Sequence, residues 1–429
     1  MRARALTVLE AVDGGGVFAE HLIRPDDAPF VRELVNGVLR RRLTLDSIHD
    51  AYGKRKASTL DAPVRAAIRA GLYQFMFMDG IPPHAVAGET VGALRLKSHR
   101  AYVNAVLRRI LRECKRVDPS MDRGGAHPSK RFERPGRAVC FFTKRVFPDP
   151  EGDRAGYLAA YHSHPEFLVR RWIERVGEAE AVGWMEEGNQ VPQLMLRPRA
   201  GRVDAAELVA RLADEQQLAA VVEREHGPDA VTVTRPRGLL SGRCFRKGLF
   251  SVQDLRQMDA VEILTPRPGE TVWDACAAPG GKTLQIAEAL AGDGRVVATD
   301  RSAERLQRVD ESLQRLGLDD VATTAAHDLL SGDVPPGKPD SGFDAILLDA
   351  PCSNSAVLGA RPEARWRLEP GTFAEMAALQ TRLLEETRKH LAPGGRLVLS
   401  SCSREPEEGV DHGLLPTRSP YAWFVKSEG

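Results

Sequence analysis

Apolar side chains recur three and four positions apart, with arginines between them, in three stretches near the start of the chain: FVRELVNGVLRRRL (30–43), PVRAAIRAGLYQFMFM (63–78) and AYVNAVLRRILREC (101–114). That period is the turn of an α-helix, so each stretch predicts an amphipathic helix with one face in a core. Asp61 and Pro63 supply start signals for the second, and DGIPP (79–83) stops it. Residues 1–116 are expected to form an all-α domain. Residues 117–153, rich in Gly, Pro and charge, read as a linker. The segment 154–250 predicts a small α/β connector, with helix over 164–187, strand QLMLRPR (193–199), helix DAAELVARLADEQ (204–216) and strand AVTVTRP (230–236). From 251 to 429 the pattern alternates. Strands are predicted at TVWDACA (271–277), RVVATD (295–300), near 321–327, at FDAILLDA (343–350) and at GRLVLSSC (395–402). Helices are predicted from Thr283, over 302–317 and over 373–391. Continuous apolar strands alternating with helices predict an α/β fold with a doubly wound, mostly parallel sheet. Right-handed crossovers then bring the carboxyl ends of the strands to one edge.

Charge changes this picture. The formal net charge is +1, yet residues 1–116 carry 20 Lys and Arg against 12 Asp and Glu, leaving the rest at −7. Clusters at Arg40, Arg41, Arg42 and at Lys54, Arg55, Lys56 suggest a basic surface for a polyanion. Six cysteines lie far apart with no C-x-x-C, so neither a disulfide framework nor a zinc site is expected, and no metal. Reduced thiols imply a cytoplasmic location. No apolar run approaches the ~18 residues that span a bilayer, and MRARALTVLE lacks the apolar segment of a signal peptide, so neither membrane nor export is expected.

Candidate chemistry sits at the predicted strand ends. DACAAPGGKT (274–283) joins a strand to a helix through small residues that let backbone N–H groups approach a ligand. It is not a phosphate-binding P-loop, because that pattern requires Gly where Cys276 stands. Asp300 ends the second strand about twenty residues on, where a carboxylate meets ribose hydroxyls. Asp328 follows the third strand. Asp349 and Cys352 (LLDAPCS) follow the fourth and Cys402 (SSCS) the fifth, so both thiols should face one crevice.

These motifs, DACAAPGGKT, LLDAPCS and SSCSREPEE, resemble those of the S-adenosylmethionine-dependent RNA cytosine-C5 methyltransferases, whose catalytic domain is a Rossmann-like class I methyltransferase. VNGVLRRRLTLD, VRAAIRAGLYQFMFMDGIPPHAV and YVNAVLRRIL resemble the NusB-like RNA-binding domain, and SHPEFLVRRWIERVG the connector helix of the bacterial 16S rRNA branch called RsmB or Sun. The resemblance runs from about residue 4 to about residue 409. It implies methylation of cytosine C5 in 16S rRNA with S-adenosylmethionine as methyl donor. Cys402 would be the nucleophile that adds to C6, Cys352 would assist release of the methylated base, and Asp349 would hold the N3/N4 edge. Ala277, Ala278, Pro279, Gly280, Gly281, Lys282 and Thr283 would wrap the methionine part of the cofactor. Asp300 would take the ribose and Asp328 the adenine, with Arg305 and Asp349 nearby. The partner implied is ribosomal RNA, bound by a monomer. Two departures stand out. Asn354-Ser355-Ala356 replaces a Gly-containing turn, and only 27 residues follow Cys402 where the family continues through a helix and two strands. The expectation is a shortened end with an uncovered sheet edge. It motivates the alternative of an RNA-binding assembly factor with a decayed methyltransferase domain.

Overall fold

The helix-period stretches fold as helices packed on one another, and the alternating stretches as a sheet between helices. The computed structural model describes every residue except 16, 25, 123, 135–136, 224–229, 235–237, 410–414, 417–421 and 426–429. The chain forms two compact units, Met1–Val191 with Val357–Pro370, and Pro192–Ala356 with Gly371–Gly429. Among the described residues no helix is long and apolar enough to cross a membrane.

In the first unit, helices Arg2–Asp13, Pro29–Arg40, Arg42–Tyr52, Ala62–Phe77, Pro83–Gly92 and Lys97–Glu113 close around Leu34, Val35, Leu45, Ile48, Ile68, Leu72 and Leu107. Each such buried side chain contributes about 1.5–3 kcal/mol. The stretch 30–43 is not one helix, because the chain breaks at Arg41. Residues 117–153 do not form a linker. Strands Cys114–Val117, Arg131–Arg134 and Ala138–Phe142 make an antiparallel sheet, and Phe132, Cys140, Phe142 and Phe147 join the helical core. Buried Phe132 and the continuous apolar run Ala138–Phe142 give these short strands apolar surface to bury, which outweighs the flanking Gly and Pro. Helices Glu166–Val176 and Glu178–Asn189, expected in the connector, also belong to this unit, as does helix Arg154–His162, which the pattern did not predict.

The segment Val357–Pro370 was expected inside the sheet domain, yet it belongs to the helical unit. Arg365 is fully buried there and donates to carbonyls of Ser163 (2.9 Å), Gly188 (2.5 Å), Leu358 (3.2 Å) and Arg40 (3.4 Å), and to Asn189 Oδ1 (3.1 Å). The indole N–H of Trp366 donates to the Leu39 carbonyl (2.7 Å), with Arg42 over the ring. Arg40 is buried and donates to Gly359 O (2.9 Å), and Arg41 lies over Phe77 and Phe132. This corrects the reading of Arg40, Arg41 and Arg42 as a basic surface cluster. Their guanidinium planes satisfy carbonyls and stack on rings inside the unit, whereas Lys54, Arg55 and Lys56 are exposed.

The second unit opens with an antiparallel four-stranded sheet (Leu194–Pro198, Ala219–Glu223, Ala230–Thr234, Phe250–Val252) carrying helix Ala205–Gln216. A seven-stranded sheet follows. Its elements are β1 (Thr271–Asp274), α1 (Gly281–Ala289), β2 (Arg295–Asp300), α2 (Ala303–Leu316), β3 (Ala322–Ala326), β4 (Phe343–Asp349), α3 (Thr372–Arg388), β5 (Leu391–Ser400), β6 (Leu415–Pro416) and β7 (Ala422–Val425). The order is β3-β2-β1-β4-β5-β7-β6, with β3, β2, β1, β4 and β5 parallel and β7 antiparallel to both its neighbours. Chain order reverses between β1 and β4, which opens a crevice at their carboxyl ends. Val272, Ala298, Leu347 and Val398 pack with α1 and α2 on one face, and Trp273, Ile346, Leu348 and Leu399 with α3 on the other. The expectation of an uncovered edge beyond β5 is overturned, because β7 pairs with Leu397 through Ser400. A ladder needs only backbone groups, and four residues suffice to cover that edge.

Candidate active site

Parallel pairing of β4 with β5 sets Asp349 opposite Ser400. Cys352 and Cys402 leave these strands three and two residues further on, and they meet. The Cys402 side chain lies close enough to lower the Cys352 thiol from its ordinary value, while burial opposes the shift. The Cys402 thiol also donates to Asn354 Oδ1 (3.3 Å), and Asn354 Nδ2 donates to the Cys352 carbonyl (3.0 Å). Asn354 adopts φ +61°, the left-handed conformation that Asn accepts more readily than most residues. Asn354 thus turns the chain after Cys352, and Ala356 closes the turn by donating its N–H to Cys402 O (3.1 Å).

Beside the thiols, Asp349 accepts the Ser400 hydroxyl at Oδ1 (2.5 Å) and the Lys282 ammonium at Oδ2 (2.6 Å). Burial alone would lower the Lys282 pKa, but Asp349, with Asp274 and Cys402, holds it above its ordinary value. Lys282 stays charged, and an ammonium in this position favours a thiolate at Cys402. Asp349 keeps 35% of its side chain exposed, so it faces the crevice.

The turn after β1 forms the other wall. Ala277 N–H donates to Thr299 O (2.8 Å) and Ala278 N–H to Asp300 Oδ2 (3.3 Å), a cis peptide joins Ala278 to Pro279, and Gly280 takes φ +108°. An added Cβ at Gly280 would sit 3.1 Å from Val309 on α2. Arg305 braces the turn, donating to Ala278 O (2.5 Å) and pairing with Asp300 (3.2 Å). Asp328 is exposed after β3 and accepts the Leu330 N–H (3.0 Å). Asp274, at the end of β1, is fully buried. Thr283 donates to its Oδ2 (2.6 Å), and among the described residues its Oδ1 has no hydrogen-bond partner. Burial pushes this carboxyl up to about 7; Asp349 and Asp300 add to the rise, and Thr283 and Lys282 oppose it.

A profile of the 16S rRNA methyltransferase RsmB/F family matches residues 261–412, the NusB family profile matches 1–112, and the ferredoxin-like domain profile of RsmF/B-like methyltransferases matches 164–239. Over 419 residues the chain is 33% identical to the ribosomal RNA small subunit methyltransferase B of Erwinia tasmaniensis, covering 95% of this chain and 86% of that one. The chain belongs to the ribosomal RNA small subunit methyltransferase B family. The probable ribosomal RNA small subunit methyltransferase B of Synechocystis is 32% identical over 395 residues, covering 91% of this chain and 80% of that one. The crystal structure of PH0851 shares the fold, with a TM-score of 0.74 at 22% identity over 98% of this chain and 92% of that one.

In this methyltransferase B family member, the crevice at the ends of β1 to β5 brings together Asp349, Cys352, Cys402 and Lys282. The turn of Ala277 to Gly281 sits against Asp300 and Arg305, with Asp328 one strand further along the sheet. Cys276 has its thiol raised by burial, and Cys114, Cys140 and Cys244 are buried, which suits packing. Sequence reasoning passed over Asp274 and Ser400. The first stands inside the quoted motif, but nothing in a sequence shows that it lies buried with one oxygen unpaired. Ser400 becomes visible only once the β4 to β5 register is known.

Proposed function

We propose that this protein methylates C5 of a cytosine in 16S rRNA, using S-adenosylmethionine and a covalent cysteine adduct at C6. The observation that carries this reading is that two free cysteines, on loops bridged by Asn354, converge beside a lysine-paired aspartate at the switch point of the sheet. Cytosine C5 is a weak nucleophile, and covalent addition at C6 is the general way to activate it. The Cys402 thiolate, favoured by Lys282, adds to C6, and the electron pair moves toward C5. Asp349 retains lone pairs that accept from the exocyclic N4 amino group and orient the base. After C5 takes the methyl group, the Cys352 thiolate removes the C5 proton, the C5–C6 double bond re-forms and Cys402 leaves. Because the two loops bring both thiols to one crevice, one serves as nucleophile while the other is placed as base.

The residues fit the cofactor. A turn of small residues offers backbone groups, Asp300 and the exposed Asp328 stand at successive strand ends, and the unpaired Oδ1 of Asp274 lies at the base of the turn. S-adenosylmethionine supplies the electrophilic methyl group when bound. Ala277 to Thr283 would hold its methionine part, Asp300 the ribose and Asp328 the adenine, while Arg305, engaged with Ala278 and Asp300, acts through the loop. The target base must leave its stack to reach the crevice. The helical domain, with Lys54, Arg55 and Lys56 exposed, would supply phosphate contacts.

The alternative of a decayed enzyme was motivated by the shortened end of the chain, where β6 and β7 supply two strands and, among the described residues, no α-helix follows β5. The deciding experiment transfers labelled methyl from S-adenosylmethionine to unmodified 16S rRNA. Cys402→Ala should lower transfer by about a thousandfold or more, as loss of a covalent nucleophile does. Cys352→Ala should accumulate a protein–RNA adduct that gel electrophoresis retains. A Cys402→Ala protein that still forms an adduct on 5-fluorocytosine RNA would reverse the assignment of the two cysteines. Absence of transfer by the wild type, despite RNA binding, would remove the catalytic reading.

A further inference from the structure

One buried carboxylate beside the two cysteine loops takes no part in the chemistry above. Glu408 is fully buried in the single turn Pro406–Glu408. Its Oε2 accepts the backbone N–H of Ser353 (2.8 Å), and its Oε1 accepts the hydroxyl of Ser403 (2.8 Å). Ser353 directly follows Cys352, and Ser403 directly follows Cys402. Behind them, the fully buried amide of Gln380 on α3 donates to Glu408 Oε2 (3.3 Å) and to the Pro351 carbonyl (2.8 Å). The Ser403 hydroxyl also accepts the Glu405 N–H (3.0 Å) and lies 3.1 Å and 3.2 Å from the hydroxyls of Ser353 and Ser355.

Isolating a carboxylate from water is costly unless its oxygens are satisfied. Here the partners come from the Cys352 loop, the Cys402 loop and the helix that backs both. Burial raises the Glu408 carboxyl, and its bonds from Ser353 and Ser403 pull it back down. Among the described residues no hydrogen bond of Glu408 reaches the thiols; its charge raises the Cys352 thiol through space, and its hold on where the thiols sit passes through the backbone.

We infer that Glu408 is a positioning residue whose carboxylate ties the Cys352 and Cys402 loops to each other and to α3, setting the separation of the two thiols. What that separation serves rests on the proposed adduct chemistry, whereas the tie itself does not. A lost tie lets the two loops move independently. Misplacement of reacting groups by about 1 Å costs on the order of a hundredfold in rate.

The test uses the full-length protein with Glu408→Ala and Glu408→Gln. In methyl transfer to unmodified 16S rRNA, kcat of Glu408→Ala should fall about a hundredfold, with KM for S-adenosylmethionine unchanged. Glu408→Gln, which can still accept the Ser353 N–H, should recover much of that loss. A second readout needs neither RNA nor cofactor. Diamide takes the two thiol hydrogens as Cys352 and Cys402 join in a disulfide, and peptide mass spectrometry follows its rate. That rate should fall in Glu408→Ala and lie between the two in Glu408→Gln. If the wild type transfers no methyl while the disulfide still slows in Glu408→Ala, the functional reading fails and the tie stands. Wild-type disulfide rates in Glu408→Ala overturn the tie. If Glu408→Ala does not fold, wild-type rates in Glu408→Gln by both readouts overturn it equally.

Discussion

Asp274 ends β1 with Thr283 on one oxygen and, among the described residues, no partner on the other, and burial pushes its carboxyl up to about 7 from an ordinary 3.8. Between those values the folded protein holds a proton that the unfolded chain releases. The resulting stability is full at the low end and is lost as pH rises toward 7. Asp274→Asn keeps an acceptor for Thr283 and removes the titration. Urea unfolding from pH 4 to 8 should therefore show the wild type losing stability relative to Asp274→Asn, by a few kcal/mol at most. Parallel curves for the two proteins would mean that Asp274 ionises at its ordinary value in the fold. Arg305 shows another limit of single-residue reasoning. As a candidate beside the cofactor it looked optional, but its guanidinium braces Ala278 and Asp300, so its contribution is to the shape of the turn.

The turn between β1 and α1 is the element whose backbone leaves least freedom. Gly280 combines φ +108° with close approach to Val309, so Gly280→Ala meets both a conformational penalty and a neighbour that must shift. The expected loss is about 1–3 kcal/mol, read as a lower unfolding midpoint together with weaker S-adenosylmethionine binding by calorimetry. An unchanged affinity would show that the turn does not hold the cofactor. At the same scale, the paired thiols follow from strand register: Asp349 faces Ser400, and the chains that continue from them converge. Trp273 secures the centre of the sheet, stacking on Phe343 at 5.2 Å and donating to Thr299 Oγ1 (2.9 Å). The sheet at 114–142 could be misread as linker because each strand has only four or five residues, too few for alternation to outweigh nearby Gly and Pro.

On the scale of the whole molecule, the chain leaves the sheet unit after Ala356 and returns at Gly371. Val357–Pro370 is held in the helical unit by Arg365, which supplies donors to four carbonyls and an amide oxygen without any carboxylate among those partners. Arg365→Met retains much of the apolar stem and leaves these acceptors unpaired. The expected loss is about 3 kcal/mol, detectable as earlier thermal unfolding and faster proteolysis within Met1–Val191. Wild-type resistance in Arg365→Met would show that the segment is held by its apolar contacts alone. The segment begins one residue after Ala356, whose N–H closes the turn around Cys402. The strand of chain that shapes the thiol site is thus continuous with one anchored among the helices.

Helical periodicity, alternation and the DACAAPGGKT, LLDAPCS and SSCS motifs determined the two fold classes, the sheet edge that carries the site and the residues at its strand ends. All of these are local properties of the chain, since period follows from side-chain direction and a strand end follows from where an apolar run stops. Only the tertiary structure decided that the loops carrying Cys352 and Cys402 converge, that Asp274 is buried with an oxygen unpaired among the described residues, that Glu408 joins the two loops and that β7 covers β5. It also decided that Arg40, Arg41 and Arg42 turn inward and that Val357–Pro370 leaves its neighbours in sequence. These depend on register, burial and contacts between residues far apart in the chain, which periodicity and composition do not encode.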